Sequence, residues 1–267
     1  AGRTPNPCID CNRCLKFGAF LDRALDMGFD YIATGHYARV EHDAARGSCR
    51  LLRGRSLAKD QSYVLYQLTQ FQLSHLLLPV GGFEKPDIRA QAEQAGLANA
   101  RQADSQDICF IPDGDYVRFL QDYGGAALQP GNFVDRTGRV LGRHRGLACY
   151  TAGQRKGLGV SADRPLYVIS KNAEDHTILL GDNDELFSSA LLASRVNWIA
   201  GAPAGAVRCT AKTRYSQKEC GAVVTPLPDG GAHVALLTPQ RAVTAGQAVV
   251  FYDGDEVLGG GTIERAL

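Results

Sequence analysis

Near Gln129 the sequence changes character, and that change constrains the fold more than any other feature. Before it, apolar residues recur at helical spacing. Cys14, Phe17, Leu21, Ala24 and Leu25 form one stripe, with Asn12 as the expected N-cap and Gly28 closing the helix. Phe29 to Thr34 then reads as a buried strand that ends at Gly35-His36-Tyr37. Helix, strand and glycine turn suit one unit of a parallel sheet, with a site at the strand's carboxyl end. Asp60 is placed to cap a short helix through Leu68. Pro86 and Gly96 bracket another helix, and Tyr116, Val117, Phe119 and Leu120 ride on a third. After Gln129 the helical period disappears. Short alternating runs near 168–170, 176–180, 207–215, 220–227, 232–238, 247–252 and 256–263 are spaced as in a small barrel or sandwich. Gly259-Gly260-Gly261 reads as a bulge or close packing, because no helix follows to make a phosphate loop.

At roughly 150 residues per domain, the 267 residues suggest two domains or three small ones. Apolar residues make up 45% and charged residues 21%, which supports a core and excludes intrinsic disorder. No run approaches the ~18 apolar residues of a membrane span; the longest is Leu76-Leu77-Leu78-Pro79-Val80. Lys plus Arg number 29 against 28 Asp plus Glu, so a uniformly basic coat is excluded but a local patch is not. The segment Val207 to Tyr215 alternates. Val207, Cys209, Ala211 and Thr213 share one face, and Arg208, Thr210, Lys212 and Arg214 share the other, which is expected to be a solvent-facing basic stripe ending in an aromatic. Gln154 to Gly157 and Arg139 to Arg145 add positive charge. The opening, Ala1 to Cys8, has neither Met nor an apolar export core, so it is not a signal peptide and reads as the interior of a longer protein.

The eight cysteines point to a reducing compartment, where clustered thiols serve metals or chemistry. Cys49, Cys149, Cys209 and Cys220 are scattered and read as small buried hydrophobes. Cys8-x-x-Cys11-x-x-Cys14 is a cluster with a use for thiolates. Cys11 precedes the expected N-cap, where a helix dipole favours a thiolate. Cys109 sits in the apolar tetrad Ile108 to Ile111 and by pattern alone is a core residue, unless a second cysteine meets it. His36 satisfies a turn or contacts an anionic ligand, and Lys59 reads as a solvated charge. The residues alone thus give a thiol-using α/β unit joined to a β module with a basic face.

Seven separate motifs then run in order along the whole chain. They are Gly2-Arg3-Thr4-Pro5-Asn6-Pro7-Cys8-x-x-Cys11-Asn12 with Lys16-Phe17; Ala33-Thr34-Gly35-His36-Tyr37-Ala38-Arg39; Lys59-Asp60-Gln61-Ser62-Tyr63; Asp104-Ser105-x-x-Ile108-Cys109-Phe110-Ile111; Thr151-x-Gly153-Gln154-Arg155-Lys156-Gly157-Leu158-Gly159; Lys212-x-Arg214-Tyr215; and Gly246-Gln247-Ala248-Val249-Val250-Phe251-Tyr252. Together they closely resemble the bacterial tRNA-specific 2-thiouridylase family, whose older description is a tRNA methyltransferase. The resemblance implies an α/β remnant of a PP-loop nucleotide-binding domain over 1–112, a small, mostly β central domain over 113–186, and a C-terminal all-β barrel over 187–267 that contacts tRNA. It implies a cytoplasmic enzyme that uses ATP with Mg2+ to adenylate C2 of the wobble uridine in tRNAs of the Lys, Glu and Gln type. An upstream sulfur-relay protein would leave a persulfide on Cys109. Cys11 would resolve it, with a Cys11–Cys109 disulfide on turnover. Asn6, Pro7 and Cys8 would border the target base, and Gly35 would line the nucleotide site. His36, Lys59, Asp60, Gln61, Arg214, Tyr215 and Gln247 would touch tRNA.

The sequence departs from this pattern twice. Many relatives carry Asp where this chain has Cys8, so Cys8, Cys11 and Cys109 are alternative ligands for an iron–sulfur cluster. The Gly-rich ATP loop of Ser-Gly-Gly-Val-Asp-Ser type is not in this sequence, so the chain alone is expected to be inactive. The competing readings are an RNA-binding module with a structural metal at the cysteine cluster, and a thiol–disulfide oxidoreductase. A methyltransferase lacks support, for no Gly-rich methyl-donor loop is visible.

Overall fold

The structure is a computed structural model that describes residues 3–45, 47–102, 108–111, 113–123 and 128–267. Gly2 and the Asp104-Ser105 part of the fourth motif lie outside the described residues.

The first helix starts earlier than the apolar stripe suggests. The Asn6 side chain accepts a hydrogen bond from the Cys8 N–H at 3.1 Å, and Pro7 follows with its φ preset for a helix, so α1 begins there (Pro7–Asp10). Asn12 is therefore not the cap. It is 3% exposed inside the helix and donates to the Val64 carbonyl at 3.4 Å. The helix continues as a wide π turn over Cys11–Ala19, kinks at Gly18 (φ −101°, ψ −105°), and resumes as α2 (Phe20–Asp26). Gly28 then ends it in the left-handed region, as expected.

The strand expected over Phe29 to Thr34 shrinks to β1 (Ile32–Ala33), paired in parallel with β4 (Leu76–Leu77). Only Ile32 faces a core, while Phe29 and Tyr31 stay 58% and 54% exposed. A hairpin of β2 (Ala38–Asp43) and β3 (Ser48–Arg53) follows. The helix expected from Asp60 is instead a pair of 3-10 turns, Leu57–Lys59 and Ser62–Leu65, with Asp60 between them. The Asp60 carboxylate accepts from the Gly54 N–H (3.1 Å), the Ser62 N–H (3.0 Å) and the Ser62 hydroxyl (2.8 Å), which holds the tight turn against helix propagation. Three helices complete this half: α3 (Gln70–Ser74), α4 (Lys85–Gln94) and α5 (Tyr116–Tyr123).

The second half is all β. Strands β5 (Gly131–Val134), β6 (Val140–His144), β7 (Tyr167–Asn172) and β8 (Thr177–Gly181) form one sheet in the order β6-β5-β8-β7, over a core of Phe133, Tyr150, Val168, Ile178 and Leu180. The remaining strands are β9 (Phe187–Trp198), β10 (Val207–Lys212), β11 (Cys220–Pro226), β12 (Ala232–Arg241), β13 (Ala248–Asp253) and β14 (Glu256–Ala266). Their order is β13-β10-β11-β12-β9-β14, and β14 pairs back to β13, so the barrel closes and leaves no internal edge. The triple glycine lies in β14 as close packing. A Cβ at Gly259 would fall 2.1 Å from the Asn197 carbonyl oxygen, and one at Gly260 would fall 2.5 Å from the Val249 oxygen and 2.7 Å from the Tyr66 ring. Gly260→Ala is therefore expected to destabilise the protein by about 3 kcal/mol, the upper end of overpacking costs. An unchanged urea midpoint would refute this.

The β2–β3 hairpin extends the barrel sheet. Leu52 pairs with Glu256 of β14, and the Arg53 N–H donates to the Asp255 carbonyl at 2.9 Å. Tyr63 and Tyr66 of the first unit share a core with Ala248, Val250 and Tyr252 of the barrel. The two units are joined through a continuous core, and this junction fixes the walls of the site.

Candidate active site

Where α1, the turn after Asp60 and the Ile108–Ile111 segment face the barrel, they leave a cavity of about 450 Å³. It is lined by Asn6, Cys8, Cys11, Asn12, Lys16, His36, Gln61, Val64, Ile108, Cys109, Phe110 and Tyr215. The capped start at Asn6 places Cys8 in the first helical turn and Cys11 one turn further in, on neighbouring faces. Cys11 thus lies inside the helix rather than ahead of its N-cap. The Ile108–Ile111 tetrad divides: Ile111 is buried at 3% exposure, while Cys109 and Phe110 are exposed at the cavity. All eight cysteines are free thiols in this structure. Burial is the main influence that raises the Cys8 thiol above its ordinary pKa. The Cys109 and Cys11 sulfurs raise it further, and Lys16 opposes them.

His36 is 7% exposed, and its Nδ1 lies 2.8 Å from the Thr34 hydroxyl while its Nε2 lies 3.5 Å from Lys16 Nζ. Lysine can only donate, so Nε2 is the acceptor and Nδ1 carries the proton. Burial, followed by the Lys16 charge, lowers its pKa to about 4. His36 is a neutral imidazole at neutral pH, suited to a base edge rather than a phosphate. The folded pKa lies below the unfolded one, so the unfolded chain binds the proton first, and stability falls as pH drops from about 6.5 to 4. The loss across that window is of order 3 kcal/mol at most. His36→Asn is expected to flatten this acid limb in urea titrations, and an identical limb in the variant would contradict the assignment.

Gln61 accepts from the Tyr37 N–H at 2.9 Å, which leaves its amide NH2 for the cavity. The Tyr215 ring is 42% exposed, its hydroxyl donates to the Asp60 carbonyl at 3.2 Å, and it packs edge-on against Tyr63 with centroids 5.8 Å apart. The structure therefore gathers Asn6, Cys8, Cys11, His36, Gln61, Cys109 and Tyr215 around one space. Other site candidates stand elsewhere. Pro7 starts α1, the Asp60 carboxylate is consumed by its turn, and Lys59 is half-exposed outside the cavity lining. Gly35 is exposed, and a Cβ there would meet no protein atom within 4 Å. Gln247 donates to the Thr4 carbonyl at 2.7 Å and steadies the irregular segment leading into Asn6.

The basic stripe needs correction. Strand β10 stops at Lys212, and the face carrying Lys212 and Arg214 is half-buried against the rest of the molecule. Lys212 Nζ lies 5.9 Å from both the Tyr63 and Tyr215 rings, and burial lowers its pKa. Arg214 donates from Nη2 to the Ala152 carbonyl (2.9 Å), the Ala242 carbonyl (2.8 Å) and the Thr244 hydroxyl (2.6 Å). The period-two reading of the faces is right and Arg208 is exposed, but Thr210, Lys212 and Arg214 are only partly open to solvent. Sequence reasoning gave no role to Lys16, which supplies the cavity's cation beside the thiols and His36. Its position one turn beyond Cys11 on the same helix was the available signal. Among the described residues no group of three or more His, Cys, Asp or Glu side chains is arranged to hold a metal ion, so an iron–sulfur cluster on Cys8, Cys11 and Cys109 is not supported. Nor is any helix, among those residues, long and apolar enough to cross a membrane.

Comparison with known proteins gives the following. Residues 1–113 match the family described as the tRNA methyl transferase HUP domain, residues 117–182 the tRNA methyl transferase PRC-barrel domain, and residues 188–263 the aminomethyltransferase beta-barrel domain. The chain is 50% identical over 264 residues to a tRNA-specific 2-thiouridylase, MnmA, of Acetivibrio thermocellus, spanning 98% of this chain and 74% of that relative. It is 53% identical over 271 residues to the protein of the same name from Heliobacterium modesticaldum, spanning 100% of this chain and 70% of the relative. Identity to that of Geotalea uraniireducens is 50% over 266 residues, spanning 100% and 71%.

Proposed function

Because this chain belongs to the tRNA-specific 2-thiouridylase family, we propose that it transfers sulfur to C2 of the wobble uridine of tRNA, with Cys109 as the persulfide carrier and Cys11 as the resolving thiol. The observation that carries this reading is the cavity itself. Its lining includes two cysteines from opposite ends of the first unit, together with an exposed aromatic ring and neutral polar groups. Cys109 is exposed, as a thiol loaded by a separate sulfur-relay protein must be. Cys11 is half-buried.

The proposed chemistry uses those positions. ATP, with Mg2+, is the cosubstrate that turns the C2 oxygen into a leaving group. The terminal sulfur of the Cys109 persulfide attacks C2, and AMP departs with the oxygen. The Cys11 thiolate then attacks the Cys109 sulfur, the S–S electron pair passes to the sulfur on C2, and a Cys11–Cys109 disulfide remains. Lys16 favours the anionic sulfurs. Asn6, the Gln61 amide and neutral His36 offer hydrogen bonds to an uncharged base. A wobble base is single-stranded and can be splayed into such a pocket. Tyr215 supplies the stacking face, so Tyr215→Ala is expected to weaken binding of unmodified tRNA by about 5- to 100-fold, the range of one base–aromatic stack. Tyr215→Phe keeps the ring and loses far less. Equal losses in the two variants, measured by filter binding, would remove the stacking role.

The reading is tested by mild oxidation of the protein followed by peptide mapping. A Cys11–Cys109 cross-link that forms faster than any pair involving Cys14 or Cys49 supports it. A random mixture of pairs rejects it. An RNA-binding module built on a structural metal is disfavoured, because the thiols are not arranged for one among the described residues.

A further inference from the structure

The cavity holds a third thiol that sulfur transfer leaves unused. We propose that Cys8 is a second resolving thiol, which attacks Cys11 in the Cys11–Cys109 disulfide, forms a Cys8–Cys11 disulfide, and returns Cys109 as a free thiolate. This rests on the disulfide chemistry proposed above and extends it to the step that readies the enzyme for another turn.

Three observations carry it. First, Cys8 and Cys11 are three residues apart on a continuous helical stretch, and both line the cavity with Cys109. Residues at that spacing bring their Cβ atoms to about 5–6 Å, and a disulfide needs about 3.5–4.5 Å between them, so the two Cβ atoms must close by roughly 1–2 Å. A small adjustment of one turn therefore closes the bond. Second, the three sulfurs differ in access. Cys109 is exposed, whereas Cys8 and Cys11 are half-buried. A Cys11–Cys109 bond ties two separate segments across the pocket that must next admit a base. A Cys8–Cys11 bond stays within one helical turn and leaves Cys109 free for reloading. Third, the electrostatics order the steps. The Cys109 and Cys11 sulfurs add to the burial that keeps Cys8 protonated, and Lys16 acts the other way. Once those two sulfurs are joined they carry no charge, so their contribution disappears while that of Lys16 remains. Cys8 becomes a better nucleophile only after sulfur has left.

The step balances. Cys8 loses a proton and its thiolate forms a bond to the Cys11 sulfur, the Cys11–Cys109 bond breaks, and its electron pair leaves on Cys109. No net oxidation occurs. An external dithiol, protein or small molecule, then reduces the Cys8–Cys11 pair.

Trypsin makes the exchange readable. Cys8 and Cys11 lie in one peptide, Thr4 to Arg13, separate from the peptide Gln102 to Arg118 that carries Cys109. The full-length protein is taken through one turnover with tRNA, ATP and a persulfide donor, quenched with an alkylating agent at successive times, and mapped. The expected sequence is a cross-link between the two peptides, replaced by an internal disulfide in Thr4–Arg13 with alkylated Cys109. Cys8→Ser should form the cross-link and freeze it, with steady turnover on a monothiol reductant falling at least fivefold. Cys14→Ser, exposed and outside the cavity lining, should match the unsubstituted protein. A cross-link that forms but never migrates, or unaltered turnover of Cys8→Ser, overturns the proposal and leaves the sulfur-transfer reading intact. Failure of Cys8→Ser to form the cross-link also overturns it, because Cys8 then acts before the disulfide exists. Absence of any cross-link in the unsubstituted protein fails the underlying reading instead. The mapping needs no variant, so a misfolded Cys8→Ser does not decide the outcome.

Discussion

Cys109→Ser is expected to abolish formation of 2-thiouridine, and Cys11→Ser to trap tRNA on the enzyme. A serine hydroxyl cannot hold a persulfide, so the first variant loses activity by more than about a thousandfold, the order of loss when a covalent nucleophile is removed. It should still bind tRNA, because Cys109 lies at the exposed edge of the cavity and supports no core. The second variant differs in kind. Sulfur can still be loaded on Cys109 and can still attack C2, but the thiol assigned to break the remaining S–S bond is gone, and the half-buried Cys8, kept protonated by its burial, replaces it only slowly. The product stays attached through C2–S–S–Cys109, a linkage that dithiothreitol releases. Denaturing gels of Cys11→Ser with labelled tRNA should show a shifted, reducible band, and Cys109→Ser should show none. If neither variant gives an adduct while both lose activity equally, Cys11 is not the resolving thiol. Cys8 is then the candidate from the same cavity wall.

How far the sequence discloses such a site depends on which interactions are local. Asn6-Pro7 is a local signal, and it starts α1 by a side-chain cap and a preset φ. The apolar stripe from Cys14 to Leu25 drew attention to Asn12 instead. From Phe17 to Leu25 that stripe marks the face buried against the first unit's core, while Cys14 stays exposed, and none of it marks the first turn. Cys109 shows the opposite limit. Its four-residue setting reads as core, yet only Ile111 is buried, and Cys109 lines the same cavity as Cys11, far away in the chain. No periodicity records this; the motif series pointed to the pair only through family resemblance. Strand β9 was missed because small and polar residues, Ser188, Ser189, Ala190 and Ala193, blur its alternation, and Arg195 at positive φ interrupts it. The glycines of β14 were legible, because a run of three without a following helix has few uses besides close packing. Lys16 was visible as a letter but not as a charge beside three sulfurs, which is a property of the fold.

Arg214→Ala is expected to cost about 2–4 kcal/mol of stability, from burying acceptors that lose their donor. The guanidinium joins Ala152, which precedes the β7 side of the central sheet, to Ala242 and Thr244 at the barrel's β12–β13 connection. Arg241 adds to the same seam, with Nε donating to Asn183 at 3.0 Å and its guanidinium 5.2 Å from the Tyr167 ring. Lysine offers a compact charge in place of a planar fork, so Arg214→Lys should recover only part of the loss. A direct phosphate contact would behave differently: stability would hold, and tRNA affinity would fall with a shallower dependence on salt. The two roles separate in one pair of measurements, a urea midpoint and a salt series of tRNA binding. The geometry favours the first. Tyr215 follows Arg214 in the chain and reaches Asp60 through its hydroxyl, so loosening the seam also displaces the stacking ring. Arg214→Ala should therefore weaken tRNA binding in proportion to its loss of order at Tyr215, with the salt slope unchanged. An unchanged urea midpoint together with a reduced salt slope would reverse the assignment and restore Arg214 to the tRNA surface.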